Sequence, residues 1–466
     1  INAVSGGLWS DSNNWNGGLI ADGAGAAAYF DQVDITADNT VHLDSPRTLR
    51  LLEFTDTATN TPANWIIDNN ENPANILTLA GTAPTLYVGA MGTDGLNRSV
   101  TISAQIAGTN GFSKTGPGLL NLTASNLYSG ATAVAGGVLA ISDGGALGDT
   151  VLGTTVSGGG QLRLNGGITV SGEALSISGS GAFPGATERR GALRSHSGSN
   201  VWTGPITVFG SSETWISGGT LTLKGGIRGT NANLRFDQGT HIVVDNPINL
   251  GSSRSLLVNS SLRLGVAGNT FGTVRADWGG TIITEVANAL PTNVTLALGT
   301  TSNPFNASSH NGALNLFGND QTIGRLMDGG TTYVGEVIYN SSATTATLTV
   351  NQAVNSSYLG RMTGNVALTK GGVGVLTLGG SNTYTGTTTI DNGSLIINGR
   401  NLGGGQYVLD AGGTLGGTGL ISGALSVLAG GTLAPGNAGA IGQLTLNGDA
   451  DLGGVLNIQL NSSGLG

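Results

Sequence analysis

The feature that most narrows what this chain can fold into is that it repeats itself. Residues 114–142 read KTGPGLLNLTASNLYSGATAVAGGVLAIS, and residues 370–398 read KGGVGVLTLGGSNTYTGTTTIDNGSLIIN. The two align without a gap. Lys114, Gly116, Gly118, Leu120 and Leu122 match Lys370, Gly372, Gly374, Leu376 and Leu378. Asn126, Tyr128, Gly130 and Thr132 match Asn382, Tyr384, Gly386 and Thr388, and Gly137, Leu139 and Ile141 match Gly393, Leu395 and Ile397. A shorter unit, Gly-x-Leu-x-Leu/Ile, recurs at 160–164, 219–223, 312–316, 442–446 and 454–458. Its alternation turns one face inward and one outward. The preceding glycine allows a tight corner. A strand of three or four residues cannot bury its apolar face alone, but stacked coils bury one continuous core. The reading is therefore all-β, a solenoid of corners and short strands. At about 20–25 residues per coil the chain makes roughly 20 coils. Stacked about 4.8 Å apart, they would form a rod on the order of 100 Å long. Ladders of Asn, Ser and Thr are expected at the turns.

Composition excludes the alternatives. Gly supplies 82 of 466 residues, and only 10% are charged, against about 25% in ordinary domains. Aromatics at 5% cannot build a conventional core. Disorder is excluded by a hydrophobic content of 38% and a mean hydropathy of +0.11. No window sustains helical periodicity, and the glycines lack the three-residue period of collagen. The net charge is −9, and only Arg189 and Arg190 form a basic pair, so no stripe for nucleic acid or an anionic membrane exists. The absence of Cys removes disulfides, thiolate metal sites and Cys nucleophiles. It suits the cytosol, or an exported protein held by β-stacking. No run of about 20 apolar residues is present to span a membrane as a helix.

Candidate sites are sparse. His42, His196, His241 and His310 are scattered, with no His-x-x-x-His pair, and read as solvated. Solenoid enzymes acting on acidic polysaccharides cluster Asp with Arg or Lys on one strand face. The candidates for that chemistry are Asp31, Asp34 and Asp38, or Glu188 with Arg189 and Arg190. The first three alternate around a strand and need not converge, so both groups read as solvated faces. Residues 68–72 (DNNEN) offer oxygens for Ca²⁺ without EF-hand spacing. Trp9, Trp15, Trp202, Trp215 and Trp278 suit stacking on sugar rings, but read first as plugs in the cap and the wider coils. The glycine run at 158–160 is no phosphate loop, since no Gly-Lys-Ser/Thr follows. The sequence assigns no catalytic, metal or cofactor-binding residue.

The pattern Lys-Thr/Gly-Gly-x-Gly-x-Leu-x-Leu, Ser-Asn-x-Tyr-Ser/Thr-Gly, Thr, Gly-x-Leu at 114–142 and 370–398 resembles the autotransporter passenger-associated repeat. Residues 433–436 and 441–446 resemble the tail of such a repeat region. The resemblance implies a right-handed parallel β-helix on a bacterial surface or outside the cell. It carries no catalytic residues and no cofactor. An autotransporter ends in a membrane β-barrel of alternating strands. Residues up to Gly466 contain no such pattern, so the chain reads as a passenger fragment or as a related surface protein with another anchor. Ile1 reads as a processed N-terminus, or as the start of a trimmed chain.

Organisation follows. Residues 1–35 are expected to cap the solenoid, and 36–466 to form it. Residues 183–200 and 300–311 are polar excursions. The expected function is non-enzymatic and structural: self-association into a surface fibre, sheath or matrix, since a terminal coil can template the next. The alternative is an adhesin passenger displaying loops to glycans or cell surfaces. The remaining alternative is a polysaccharide-degrading β-helix enzyme.

Overall fold

The structure, a computed structural model, describes residues 6–31, 35–55, 63–89, 91, 98–181, 191–210, 213–237, 239, 241–299, 311–329, 335–437 and 440–460. Apart from two 3-10 turns, Ser12–Asn14 and Asn16–Gly18, every element is a β-strand. Pairing is parallel, with one isolated antiparallel bridge, Gly417–Gly436, among the described residues. The chain is an all-β parallel solenoid, divided into two compact units, 1–242 and 243–466.

The first unit is organised by in-register apolar columns. Trp65, Val100, Leu120, Leu139, Leu162, Leu193, Ile216 and Phe236 stand one above another on successive coils. None is exposed. Burying each such side chain contributes about 1.5–3 kcal/mol. The second unit repeats the device, with Leu262, Ile282, Leu314, Ile338 and Met362 in one column. Leu376, Leu395, Leu415 and Leu433 make another. Leu120, Leu139, Leu162, Leu193, Leu376, Leu395, Leu415 and Leu433 each follow the Gly-x pair of the repeat unit, whereas Trp65, Val100, Ile216 and Phe236 do not.

The corners require glycine. Gly137 and Gly393 adopt φ of +60° and +67°. A Cβ on Gly137 would lie 2.5 Å from the carbonyl oxygens of Gly116 and Gly118 on the coil below, and Gly393 makes the same close approach to Gly372. Both the left-handed backbone and the contact exclude a side chain.

Two features depart from simple alternation. Val138–Ile141, Gln161–Leu164 and Leu193–Ser195 are buried on both faces. Their outward side includes Val138 and Ala140, packed with Leu119, and Gln161, whose side chain accepts from Arg163 Nε at 3.1 Å. The expected excursion at 183–200 is shorter than its sequence implies. Residues 182–190 lie outside the described residues, but Leu193–Ser195 and the start of Asn200–Trp202 are strands of the ladder. Leu193 enters the apolar column and draws its neighbours in. The 300–311 excursion lies outside the described residues except for Asn311. Within the segment expected as a cap, Gly7–Leu8 pairs with Val41 and His42, and Ala27–Phe30 pairs with Leu51–Phe54.

Candidate functional site

The repeated motif is the first place to look for chemistry. Lys114 and Lys370 are fully buried. Lys114 Nζ donates to the carbonyls of Thr115, Gly116 and Gly136 at 2.9, 3.0 and 3.2 Å. Lys370 Nζ donates to Gly371, Gly372 and Asn392 at 2.7, 2.8 and 3.0 Å. In both repeats the third carbonyl comes from 22 residues on, one coil above. Burial draws the ammonium down to about 7 at Lys114 and to about 8 at Lys370. Three carbonyl acceptors oppose that shift, because they match the three donors of the charged form. The motif lysine is a corner clamp.

The motif Asn binds coils in both directions. Asn126 accepts from the Ile106 N–H at 2.8 Å and donates to the Ala146 carbonyl at 2.6 Å, each 20 residues away. Asn382 accepts from Met362 at 2.8 Å and donates to Asn401 Oδ1 at 2.7 Å. Outside the motif, Asn200, Asn269 and Gln321 accept from Ile168, Ile248 and Leu290 in the same manner. The expected Asn ladder is thus present, with Gln able to substitute. The motif tyrosines bond to the motif threonines, Tyr128 to Thr132 and Tyr384 to Thr388, both at 2.7 Å. Burial pushes both phenols up. Beside the first repeat, buried Glu173 accepts from Thr154 Oγ1 at 2.6 Å, and burial raises its carboxyl.

The singled-out residues fall as follows. His42 Nδ1 sits 2.8 Å from Asp68 on the outer surface, while His196 and His241 are exposed. Asp68 also accepts from Asn70 N–H, and Asn70 and Glu71 adopt φ of +50° and +58°, so 68–72 is a tight turn. Asp38 accepts from the backbone and side-chain amides of Asn64. Asp31 instead borders a surface groove with Trp15 and Tyr29, a groove that Asp38 does not line. Asp34, Glu188, Arg189, Arg190 and His310 lie outside the described residues. Among the described residues no cluster of three or more His, Asp or Glu could hold a metal, and no helix is long and apolar enough to cross a membrane.

The tryptophans divide. Trp9 and Trp202 are completely buried, as is Trp65. Trp9, Trp15, Phe30, Phe54 and Trp65 form one aromatic cluster, with centroid separations of 4.8 to 6.1 Å. Trp215 is half-buried beneath the Arg235 guanidinium, 4.9 Å from its centroid, and Trp278 is 45% exposed. Sequence reasoning missed Glu53 and Tyr87, which stand in register with Tyr29 on the outer face. Only the register between coils reveals that column.

The parallel solenoid carries this polar corner network once in each unit. The chain carries two passenger-associated-transport repeats, matched at 112–141 and 368–397. It is 31% identical over 193 residues to the adhesin BmaC autotransporter of Brucella suis biovar 1 (strain 1330). That match covers 39% of this chain and 5% of the adhesin's length. No solved structure matches the chain. Repeat and relative together place it at a bacterial cell surface or outside the cell.

Proposed function

We propose that the chain is a non-enzymatic, adhesive stretch of a bacterial-surface passenger, with residues 1–35 closing one end of its first unit. The observation that carries this reading is the likeness to an adhesin. The internal use of the motif's buried Lys, Asn, Tyr and Thr supports it. Lys114 and Asn126 bond to neighbouring coils and Tyr128 bonds to Thr132 inside the fold, so the outward faces and loops are what a partner meets. The test is adhesion of beads coated with the purified chain to cultured host cells, against beads coated with an unrelated protein of equal charge. Retention only on the first supports the reading, and equal retention overturns it.

Self-assembly into a fibre or matrix is a second reading: the strands pair in parallel from coil to coil, and pairing of that kind can continue between copies. Negative-stain electron microscopy across concentration decides it: uniform fibres support assembly, and particles of constant size remove it.

A further inference from the structure

The groove bordered by Trp15, Leu19, Ile20, Asp22, Tyr29 and Asp31 is built on a rigid base. It encloses about 490 Å³, within the range of about 300–1,000 Å³ that small-ligand sites use. Trp15 is fixed from behind: its Nε1 donates to the Trp9 carbonyl at 2.8 Å, and its ring meets Trp9 and Phe30 at 5.0 and 6.0 Å. Trp9 in turn donates to the Ala21 carbonyl at 2.9 Å, holding the 19–22 segment in place. In front of this base Leu19 and Tyr29 are 81% and 54% exposed.

A second, independent arrangement adjoins it. Tyr29, Glu53 and Tyr87 stand in register on three consecutive coils. Their strand neighbours Ala28, Phe30, Leu52, Phe54, Leu86 and Val88 point into the core, so these three point outward. The Tyr87 ring lies against Gly116, where a Cβ would come within 3.0 Å of it. Two rungs separate the tyrosines, about 10 Å at the spacing of parallel strands. The side chains of Tyr29, Asp31, Glu53 and Tyr87 have no hydrogen-bond or ion-pair partner among the described residues, whereas the Asp22 side chain accepts from the Thr48 N–H at 2.9 Å. The surface thus presents two aromatic rings a disaccharide's length apart, a carboxylate between them, and a third ring at the groove.

We propose that this surface binds an extended, uncharged hexose oligosaccharide running across the coils. Sugar rings lie on Tyr29 and Tyr87, with the chain end in the groove against Trp15. Glu53 and Asp31 accept hydrogen bonds from ring hydroxyls. Apolar C–H faces of sugars suit aromatic platforms, and the Trp15 ring, already fixed by its hydrogen bond and ring contacts, loses little freedom on binding. The assignment names a ligand class for the adhesive reading above and rests on it.

The test is titration calorimetry of the full chain against β-1,4-linked neutral hexose oligomers, from disaccharide to hexasaccharide. Affinity is expected to rise with length until both tyrosines are spanned. Tyr29→Ala and Tyr87→Ala each weaken binding about tenfold, while Tyr29→Phe, which keeps the ring, stays within about threefold. All three substitutions are on the outer face, and an unchanged melting temperature verifies the fold. Absence of binding to every oligomer, or binding untouched by both alanine variants, overturns the proposal. Cell adhesion that persists in those variants then leaves the adhesive function standing. Adhesion lost in the variants but resistant to periodate treatment of the target cells assigns the surface to a protein ligand and also overturns it. Oligosaccharide binding without any cell adhesion removes the adhesive function instead.

Discussion

At the scale of single residues, the buried lysine is the least expected feature of the motif. A lysine near the end of a short strand looks like a solvated charge, yet Lys114 and Lys370 each close a corner by filling three carbonyls. Replacing either by Met keeps the stem but leaves those carbonyls without their donor. Lys114→Met and Lys370→Met are expected to cost about 1–3 kcal/mol each, read as earlier urea midpoints and as faster amide exchange around residues 116 and 372. The same groups set a pH dependence. Their folded pKa values, about 7 and about 8, lie below the value of about 10.4 in an unfolded chain. Between those limits the unfolded chain binds more protons, so stability rises with pH from about 7 toward 10, and that contribution is lost as pH falls through the folded value. The slope of urea midpoint against pH over this window is expected to flatten in the Lys114→Met/Lys370→Met double variant. An unchanged slope would place the effect elsewhere.

At the scale of elements, the inward half of each strand was legible and the outward half was not. Gly-x-Leu-x-Leu names Leu162, Leu164, Leu376 and Leu378 as core because alternation alone decides it. Nothing local reveals that Val138, Ala140, Gln161 and Arg163 are buried on the opposite face, since what covers a face is set by distant chain. The site divides the same way. Trp15 and Asp31 stand out as residue types, but Tyr29, Glu53 and Tyr87 become a column only through register, and coils of unequal length hide register from the sequence. The corners are the most exacting elements. Gly393→Ala adds a Cβ to a left-handed residue 2.5 Å from the Gly372 carbonyl. Where the backbone allows it Gly→Ala stabilises by up to about 1 kcal/mol, but at a positive φ it destabilises by more than that, which is expected to be seen as a larger downward shift in urea midpoint than for Ala substitution of the outward Thr377. Equal shifts would mean that the corner relaxes freely.

At the scale of the molecule, the fold sets how the chain comes apart. Most contacts of a coil are with the coil before and the coil after, as the in-register columns show. There is no disulfide to couple distant segments. Stability in such an array is close to a sum of coil terms and nearest-neighbour interfaces, so damage stays local and unfolding is not all-or-none. Leu395→Ala removes a fully buried side chain, and a cavity of this kind costs about 2–5 kcal/mol. In a globular core that loss would lower the protection of every slowly exchanging amide. Here it is expected to speed exchange in Val375–Leu378, Gly393–Ile397 and Gly413–Gly417, the strands that flank the cavity, and to leave Leu119–Leu122 and Val138–Ile141 unchanged. Hydrogen exchange of the variant and the parent, read peptide by peptide, makes the comparison. Uniform loss of protection along the chain would show one cooperative core. Loss confined to the flanking coils would show that each coil is held by its neighbours alone, so that a change in one coil leaves distant coils folded.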